Sequence, residues 1–249
     1  MNTGTVKLAI IQVRMGSTRL PGKTMLSLGG QTLLEHVVHR ATAIDNVDQI
    51  VVATSIQSDD DVIVDLVQQK FPDEVSVFRG HPLDVQERFL EATHDFDDAI
   101  IGRVTADDPF RAPELFSEAF RLIETESFDH VRVTPGTVPL GIDAEVFKLS
   151  SLREARARFP SEESAEHVTT ELLSQHAFRK GELRGPDSRL GAISLTIDTP
   201  EDFRRCTKVA DALLEGGLGM SLEDTVEALR SLGWWGSGSR EEGHLYEAD

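Results

Sequence analysis

Ten residues near the start of this chain carry a dense set of phosphate-binding groups. Arg14-Met15-Gly16-Ser17-Thr18-Arg19-Leu20-Pro21-Gly22-Lys23 holds three cations, two glycines and two hydroxyls. Arginine grips two phosphate oxygens at once, lysine supplies a point charge, and backbone N–H groups of a glycine-containing loop approach such oxygens closely. The segment is not a Walker loop, because Gly22 lies one residue too far from Gly16, and it is not Gly-x-Gly-x-x-Gly. The plainer alternative is a surface turn with solvated arginines. A local excess of positive charge on a chain of net charge −18 favours the phosphate site.

Two acidic strings supply a counterpart. Val104-Thr105-Ala106-Asp107-Asp108-Pro109 ends one apolar run, and Leu195-Thr196-Ile197-Asp198-Thr199-Pro200-Glu201-Asp202 ends another. Two aspartates reaching one sheet edge from separate strands make oxygen ligands for Mg²⁺, which commonly takes one or two protein carboxylates with phosphate oxygens and water. Each string also has a structural use. Asp107-Asp108-Pro109 suits a turn, and Asp198 or Thr199 suits a helix N-cap with proline in the first turn.

These groups need a scaffold, and hydrophobic periodicity predicts one. Val6–Val13, Gln49–Thr54, Val75–Phe78 and Ala99–Val104 are short apolar runs of the kind buried on both faces of a parallel sheet. Helical spacing covers Thr32–Ala43, Asp59–Lys70, Asp84–Asp95 and Pro113–Glu124 between and after them. Alternating strands and helices imply an α/β fold, a mainly parallel sheet with helices on both faces and right-handed crossovers. In such sheets ligands gather at the carboxyl ends of the strands, where the cationic loop lies. Past Phe128 the rhythm breaks. Strand-like His130–Thr134 and Ile142–Phe147 come first, then helical Ser151–Arg158 and Glu162–Gln175. A late strand Ile193–Ile197 precedes helices Pro200–Leu214 and Leu222–Leu232. The expected organisation is one domain over residues 1–235, with a small inserted lobe at about 128–185 and a flexible tail over 236–249.

Composition narrows the partners. The −18 charge argues against a general nucleic-acid binder, whose affinity rests on Lys and Arg facing phosphates. Cys206 stands alone, so an intrachain disulfide and a cysteine-rich zinc site are excluded. No apolar stretch is long enough for a bilayer span, and the N-terminus lacks a signal-peptide pattern, which makes a cytoplasmic location the default expectation.

At the cationic loop a resemblance becomes specific. QVRMGSTRLPGK and, after Thr24, MLSLGGQTLLEHVVHRA resemble the opening of the cytidylyltransferase family. That family includes the CMP-sugar-acid synthetases for 3-deoxy-manno-octulosonate and acylneuraminates and the spore-coat polysaccharide biosynthesis F-type proteins, the nearest group. The match extends with gaps to about Phe203. It implies a glycosyltransferase-A-like fold and Mg²⁺-dependent transfer of CMP from CTP to a sugar acid or sugar phosphate, with release of pyrophosphate, for activated-sugar and surface-polysaccharide synthesis.

Carried over by residue, the resemblance places Arg14, Ser17, Arg19 and Lys23 on the triphosphate with Gly16 beside them; Arg14, Arg19 and Lys23 are the expected catalytic cations. Asp107 and Asp198 become the metal ligands, with Asp108 the second choice at the first site. Ala53 and Thr54 are expected beside the nucleobase, and Arg79, Gly80, Asp84 and Arg88 over base and phosphates. Asp143 and Glu145 of Gly141-Ile142-Asp143-Ala144-Glu145-Val146-Phe147, together with His167, are expected to meet the acceptor. Thr137-Val138-Pro139-Leu140 lacks the Arg or Lys that many relatives carry before this glycine. The resemblance also implies a homodimer. The residues leave the choice among cytosine, guanine and uracil open, and a non-catalytic nucleotide-binding protein is the rival from another class.

Overall fold

The computed structural model describes residues 5–234. The tail expected to be flexible, 236–249, lies outside them. Strands are β1 (Val6–Gln12), β2 (Ser27–Leu28), β3 (Gln31–Thr32), β4 (Gln49–Ser55), β5 (Val75–Gly80), β6 (Ala99–Thr105), β7 (His130–Val133), β8 (Glu145–Lys148) and β9 (Lys180–Leu183). Helices are α1 (Leu33–Thr42), α2 (Asp61–Lys70), α3 (Val85–Ala92), α4 (Pro113–Thr125), α5 (Leu149–Arg158), α6 (Glu162–His167), α7 (Thr170–Ser174), α8 (Pro200–Glu215) and α9 (Leu222–Ser231).

The four apolar runs form the parallel half of a seven-stranded sheet of order β5-β4-β1-β6-β8-β7-β9. Only β8 runs against the rest. The first three runs step outward from β1 to β4 and β5, and the chain then returns to place β6 on the other side of β1. Strand order therefore reverses between β1 and β6, where open α/β sheets leave a crevice at the carboxyl ends. Gln12 pairs with Thr105 in that register, so the cationic loop and the first aspartate string leave the sheet side by side.

Alternation along β1 fills two cores. Leu8 and Ile10 pack with Phe89 of α3 and Leu152 of α5, whereas Ala9 and Ile11 pack with Val37 of α1, Phe116 of α4 and Val209 of α8. Both faces are covered, which is why these strands read as continuous apolar runs. The segment expected as an inserted lobe contributes β7, β8 and β9 to the same sheet.

Three local expectations change, and one strand was not expected. Ile193–Ile197 is not a strand of the sheet: its pairing is one parallel bridge, Leu140 to Ser194, with Ile197 N–H donating to the Asp107 carbonyl at 2.9 Å. Its apolar pattern reflects burial of Leu195 and Ile197 in the core that Cys206 and Val209 of α8 also fill. The helix expected over 162–175 splits into α6 and α7 at Val168, where φ is 60° and ψ −56°. The strand expected from Ile142 begins at Glu145, because the Ile142 carbonyl accepts from Ala112 N–H and its N–H donates back to Pro139. Finally, β9 has the sequence KGEL, without a β-branched residue, and forms by parallel pairing with β7.

Candidate active site

The cationic loop and both aspartate strings converge on a cleft of ≈ 550 Å³ at the β1–β6 crevice. Lys23 is the link. Its Nζ donates to Asp198 Oδ1 at 3.0 Å and to the Ile197 carbonyl at 2.6 Å, and lies 3.5 Å from Asp107 Oδ2. Arg19 Nη2 is 3.0 Å from Asp198 Oδ2. An ammonium thus sits between two carboxylates that reach the site from chain positions about ninety residues apart.

Capping chemistry explains why Asp198 is available. Thr199, not Asp198, caps α8: its Oγ1 accepts from Asp202 N–H at 3.2 Å while Asp202 Oδ2 accepts from Thr199 N–H at 2.8 Å. The reciprocal box satisfies the helix start and frees the Asp198 carboxylate for the cleft.

The two adjacent aspartates of the first string divide their work. Asp108 is buried and fully engaged, accepting from Arg111 Nη2 at 2.5 Å, Thr105 Oγ1 at 2.6 Å and Thr196 Oγ1 at 2.7 Å. Asp107 is turned toward Lys23. Burial, and then the Asp108 carboxylate, push Asp107 above the usual carboxylate range, against the pull of Lys23, Thr105 and Arg111. Burial likewise raises Asp143, against the pull of the Arg111 charge, whose Nη1 lies 3.4 Å from Asp143 Oδ1. The glycine of this wall is required. Gly141 has φ +93°, and a Cβ there would lie 2.9 Å from Asp108 Oδ1 and from Thr196 N and Oγ1.

Across the cleft, α3 supplies Arg88. It is 1% exposed and lines the cleft, yet its Nε and Nη1 have no hydrogen-bond partner among the described residues. Burial, and then the nearby Arg14 charge, lower its pKa, while Asp60, Asp84 and Glu91 oppose. A buried guanidinium left without partners is costly unless an acceptor arrives. His167 and Glu166, both exposed, enter from the end of α6.

Of the residues singled out in the sequence, Arg14, Gly16, Ser17, Arg19, Lys23, Arg88, Asp107, Asp143, His167 and Asp198 line this one cleft. Five do not. Ala53 and Thr54 are fully buried inside the sheet, and the Ala53 carbonyl accepts from Val13 N–H at 3.2 Å, so this strand end fixes where the cationic loop departs. Arg79 is committed elsewhere, with Nη1 2.6 Å from Asp61 Oδ1, Nε donating to the Ser55 carbonyl and Nη2 to that of Gln57. Gly80 serves packing, since a Cβ there would meet Glu91 Oε2 at 2.6 Å and the Phe78 ring at 2.7 Å. Both line a separate groove beside Ile56 and His81. Glu145, expected to meet the acceptor, does not line the cleft: its neighbour on that strand face is the fully buried His130, and its carboxylate is closed off in an internal network.

The structure adds residues not singled out. Asp60, 2% exposed, accepts from Met15 N–H at 2.7 Å and from Ser55 N–H and Oγ, fastening the start of the cationic loop. Arg103, Thr105, Arg111 and Gln12 line the cleft floor and wall. The available signal was an arginine inside an otherwise apolar strand, IIGRVT, since charge is rare in such runs without a partner or a task.

Comparison with known proteins agrees with this geometry. The family model described as cytidylyltransferase matches residues 8–215. The chain belongs to the cytidylyltransferase family. Members of such a family are nucleotidyltransferases. The chain is 35% identical over 204 residues to the spore coat polysaccharide biosynthesis protein SpsF of Bacillus subtilis, covering 79% of this chain and 82% of that one. It is similar to the structure of a cytidylyltransferase from Leptospira borgpetersenii, with TM-score 0.82, 26% identity and coverage of 92% and 96%. CMP:2-keto-3-deoxy-manno-octonic acid synthetase, solved with CTP, shares the fold at TM-score 0.59 and 17% identity, covering 86% and 100%. Among the described residues no helix of this cytidylyltransferase is long and apolar enough to cross a membrane.

Proposed function

We propose that this cytidylyltransferase transfers CMP from CTP to a sugar acid or sugar phosphate, releasing pyrophosphate, with Mg²⁺ held by Asp107 and Asp198. The observation that carries the proposal is the Lys23 ammonium between those two carboxylates, beside a loop rich in cations. A cation already suits that position. At an effective dielectric of about 20, a unit charge about 4 Å from another gains roughly 4 kcal/mol before desolvation, and a divalent ion doubles the attraction. The donors are oxygens, and two carboxylates without a third His, Cys, Asp or Glu match Mg²⁺ better than a closed cage among the described residues.

Arg14, Arg19 and Lys23 hold the triphosphate, with Ser17 and the Gly16 backbone against its oxygens and Arg88 donating from the opposite wall. When bound, the metal neutralises non-bridging oxygens and templates in-line displacement at the α-phosphorus. An acceptor oxygen forms the new P–O bond as the bond to pyrophosphate breaks, and the loop cations stabilise the charge that develops on the leaving group. Asp143 and His167 face the acceptor end.

The experiment is pyrophosphate release from CTP, GTP and UTP with Mg²⁺ and a panel of sugar acids and sugar phosphates. Release with CTP and loss of at least about 100-fold in Asp107→Asn and Asp198→Asn are expected, the scale of one electrostatic contact to the reacting phosphate. Full activity in both variants would remove the metal assignment. Preference for GTP or UTP would replace the nucleotide, and nucleotide binding without turnover would favour a binding protein.

A further inference from the structure

Glu145 and Arg103 connect the α6–α7 corner to the cleft floor. Glu145 Oε1 accepts from His130 Nε2 at 2.8 Å and from Thr169 Oγ1 at 2.7 Å. Its Oε2 accepts from Arg103 Nη1 at 3.0 Å, and Arg103 Nε donates to Gln12 Oε1 at 2.9 Å. Two of the three guanidinium nitrogens are therefore fixed, while Nη2 has no hydrogen-bond partner among the described residues. Arg103 and Thr105 share one face of β6, and both line the cleft.

The far end of this network positions His167. Val168, immediately after it, has φ 60° and ψ −56°, a strained conformation for a β-branched residue that persists only where its surroundings over-determine it. Gln86 Nε2 donates to the Val168 carbonyl at 2.7 Å, and the Thr169 hydroxyl is tied to Glu145. The same buried carboxylate thus fixes one cleft residue on the floor and a corner carrying another.

We propose that Arg103 receives one anionic group of the acceptor through Nη2, and that Glu145 is the positioning residue that aims it. Naming the ligand as the acceptor rests on the nucleotidyl-transfer function above; the anion site itself rests on the geometry. A guanidinium already pinned at two nitrogens loses little freedom in taking one more hydrogen bond. Asp143 and Glu166 line the cleft, as do Arg111 and Arg88, so the surrounding charge is mixed and the contact to Arg103 sets the preference. One carboxylate or one phosphate matches the one nitrogen left to receive it.

The test is calorimetric titration of the full chain with CMP present, using three probes: 3-deoxy-manno-octulosonate, glucose 1-phosphate and neutral sorbitol. CTP binding is followed separately by thermal shift, which also reports folding. Wild type is expected to prefer one anionic probe over sorbitol. Arg103→Gln should weaken that probe by about 10- to 100-fold while leaving CTP affinity within about twofold, the scale of one charge-assisted hydrogen bond. Arg103→Lys, which keeps a positive charge beside Glu145, should recover part of the loss. Glu145→Gln should weaken the same probe, and Glu145→Asp should restore part of it. The probe that is lost tells carboxylate from phosphate. The proposal falls if wild type binds neither anion better than sorbitol, if Arg103→Gln keeps the preference, or if CTP binding drops equally. An Arg103-dependent anion preference without any CTP response would instead overturn nucleotidyl transfer and leave the anion site standing.

Discussion

Replacing Arg88 with methionine is expected to stabilise the nucleotide-free protein and weaken its response to CTP. Arg88 is 1% exposed and lies on α3 with Nε and Nη1 unpartnered among the described residues; Nη2 is not among the buried unpartnered atoms. Each buried unsatisfied donor costs about 1–3 kcal/mol, so two donors imply roughly 2–6 kcal/mol. The lower end applies because the guanidinium borders an open cleft. Methionine keeps most of the aliphatic stem's packing and removes the charge, a change that often stabilises when the charge is buried. A gain of about 2 kcal/mol corresponds to a rise in Tm of roughly 4–8 °C for a chain of this size. The ligand side has the opposite sign, since losing charge-assisted hydrogen bonds worth about 1.5–3 kcal/mol lowers CTP affinity by roughly 10- to 100-fold. Thermal melts with and without CTP and Mg²⁺ read both effects. A lower Tm for nucleotide-free Arg88→Met, or an undiminished CTP shift, would refute the reasoning.

Other outcomes follow from buried groups. Burial alone would raise the Glu145 carboxyl, but the His130 hydrogen bond, Arg103 and Thr169 outweigh it and hold it well below the usual range. The folded-state value is therefore the depressed one, so this stabilisation is present above the unfolded value of about 4.3 and is lost as pH falls below it. Melts from pH 7 to pH 3 should show Glu145→Gln destabilised at neutral pH, with the gap to wild type closing in acid; a constant gap contradicts the assignment. Burial pushes the Cys206 thiol up to about 12, and its Sγ lies 3.2 Å from the Leu195 carbonyl. Native protein should resist a thiol reagent at pH 8 and react at one site in denaturant; rapid native labelling would show that α8 opens. Gly141→Ala forces a Cβ against Asp108 and Thr196 at positive φ, and should cost more than about 1 kcal/mol, or at least roughly 2–4 °C in Tm. An unchanged melt would mean this wall is softer than its contacts indicate.

What the sequence determined by itself was the content of the site and the strands that carry it. The runs VKLAIIQ, QIVVATS and AIIGRVT announce buried parallel strands by composition alone, and the loop RMGSTRLPGK announces phosphate chemistry, because both signals are local. Family resemblance then matched the cationic loop to the two aspartate strings. Tertiary structure decided which of several equivalent candidates face the cleft. Asp107 and Asp108 are neighbours in sequence, yet Arg111, Thr105 and Thr196 claim one and leave the other beside Lys23. Arg79 and Arg88 both suited a nucleotide, but Asp61 and two carbonyls occupy the first, while the second keeps Nε and Nη1 without a partner among the described residues at the cleft. Glu145 was expected at the acceptor, but its hydrogen bond with the buried His130 closes it off, and the same network holds Arg103 at the cleft. Periodicity reports which face of an element is apolar. It carries no record of the partner that a distant segment brings to a polar group, and for charged side chains that partner separates a structural tie from a group open to substrate.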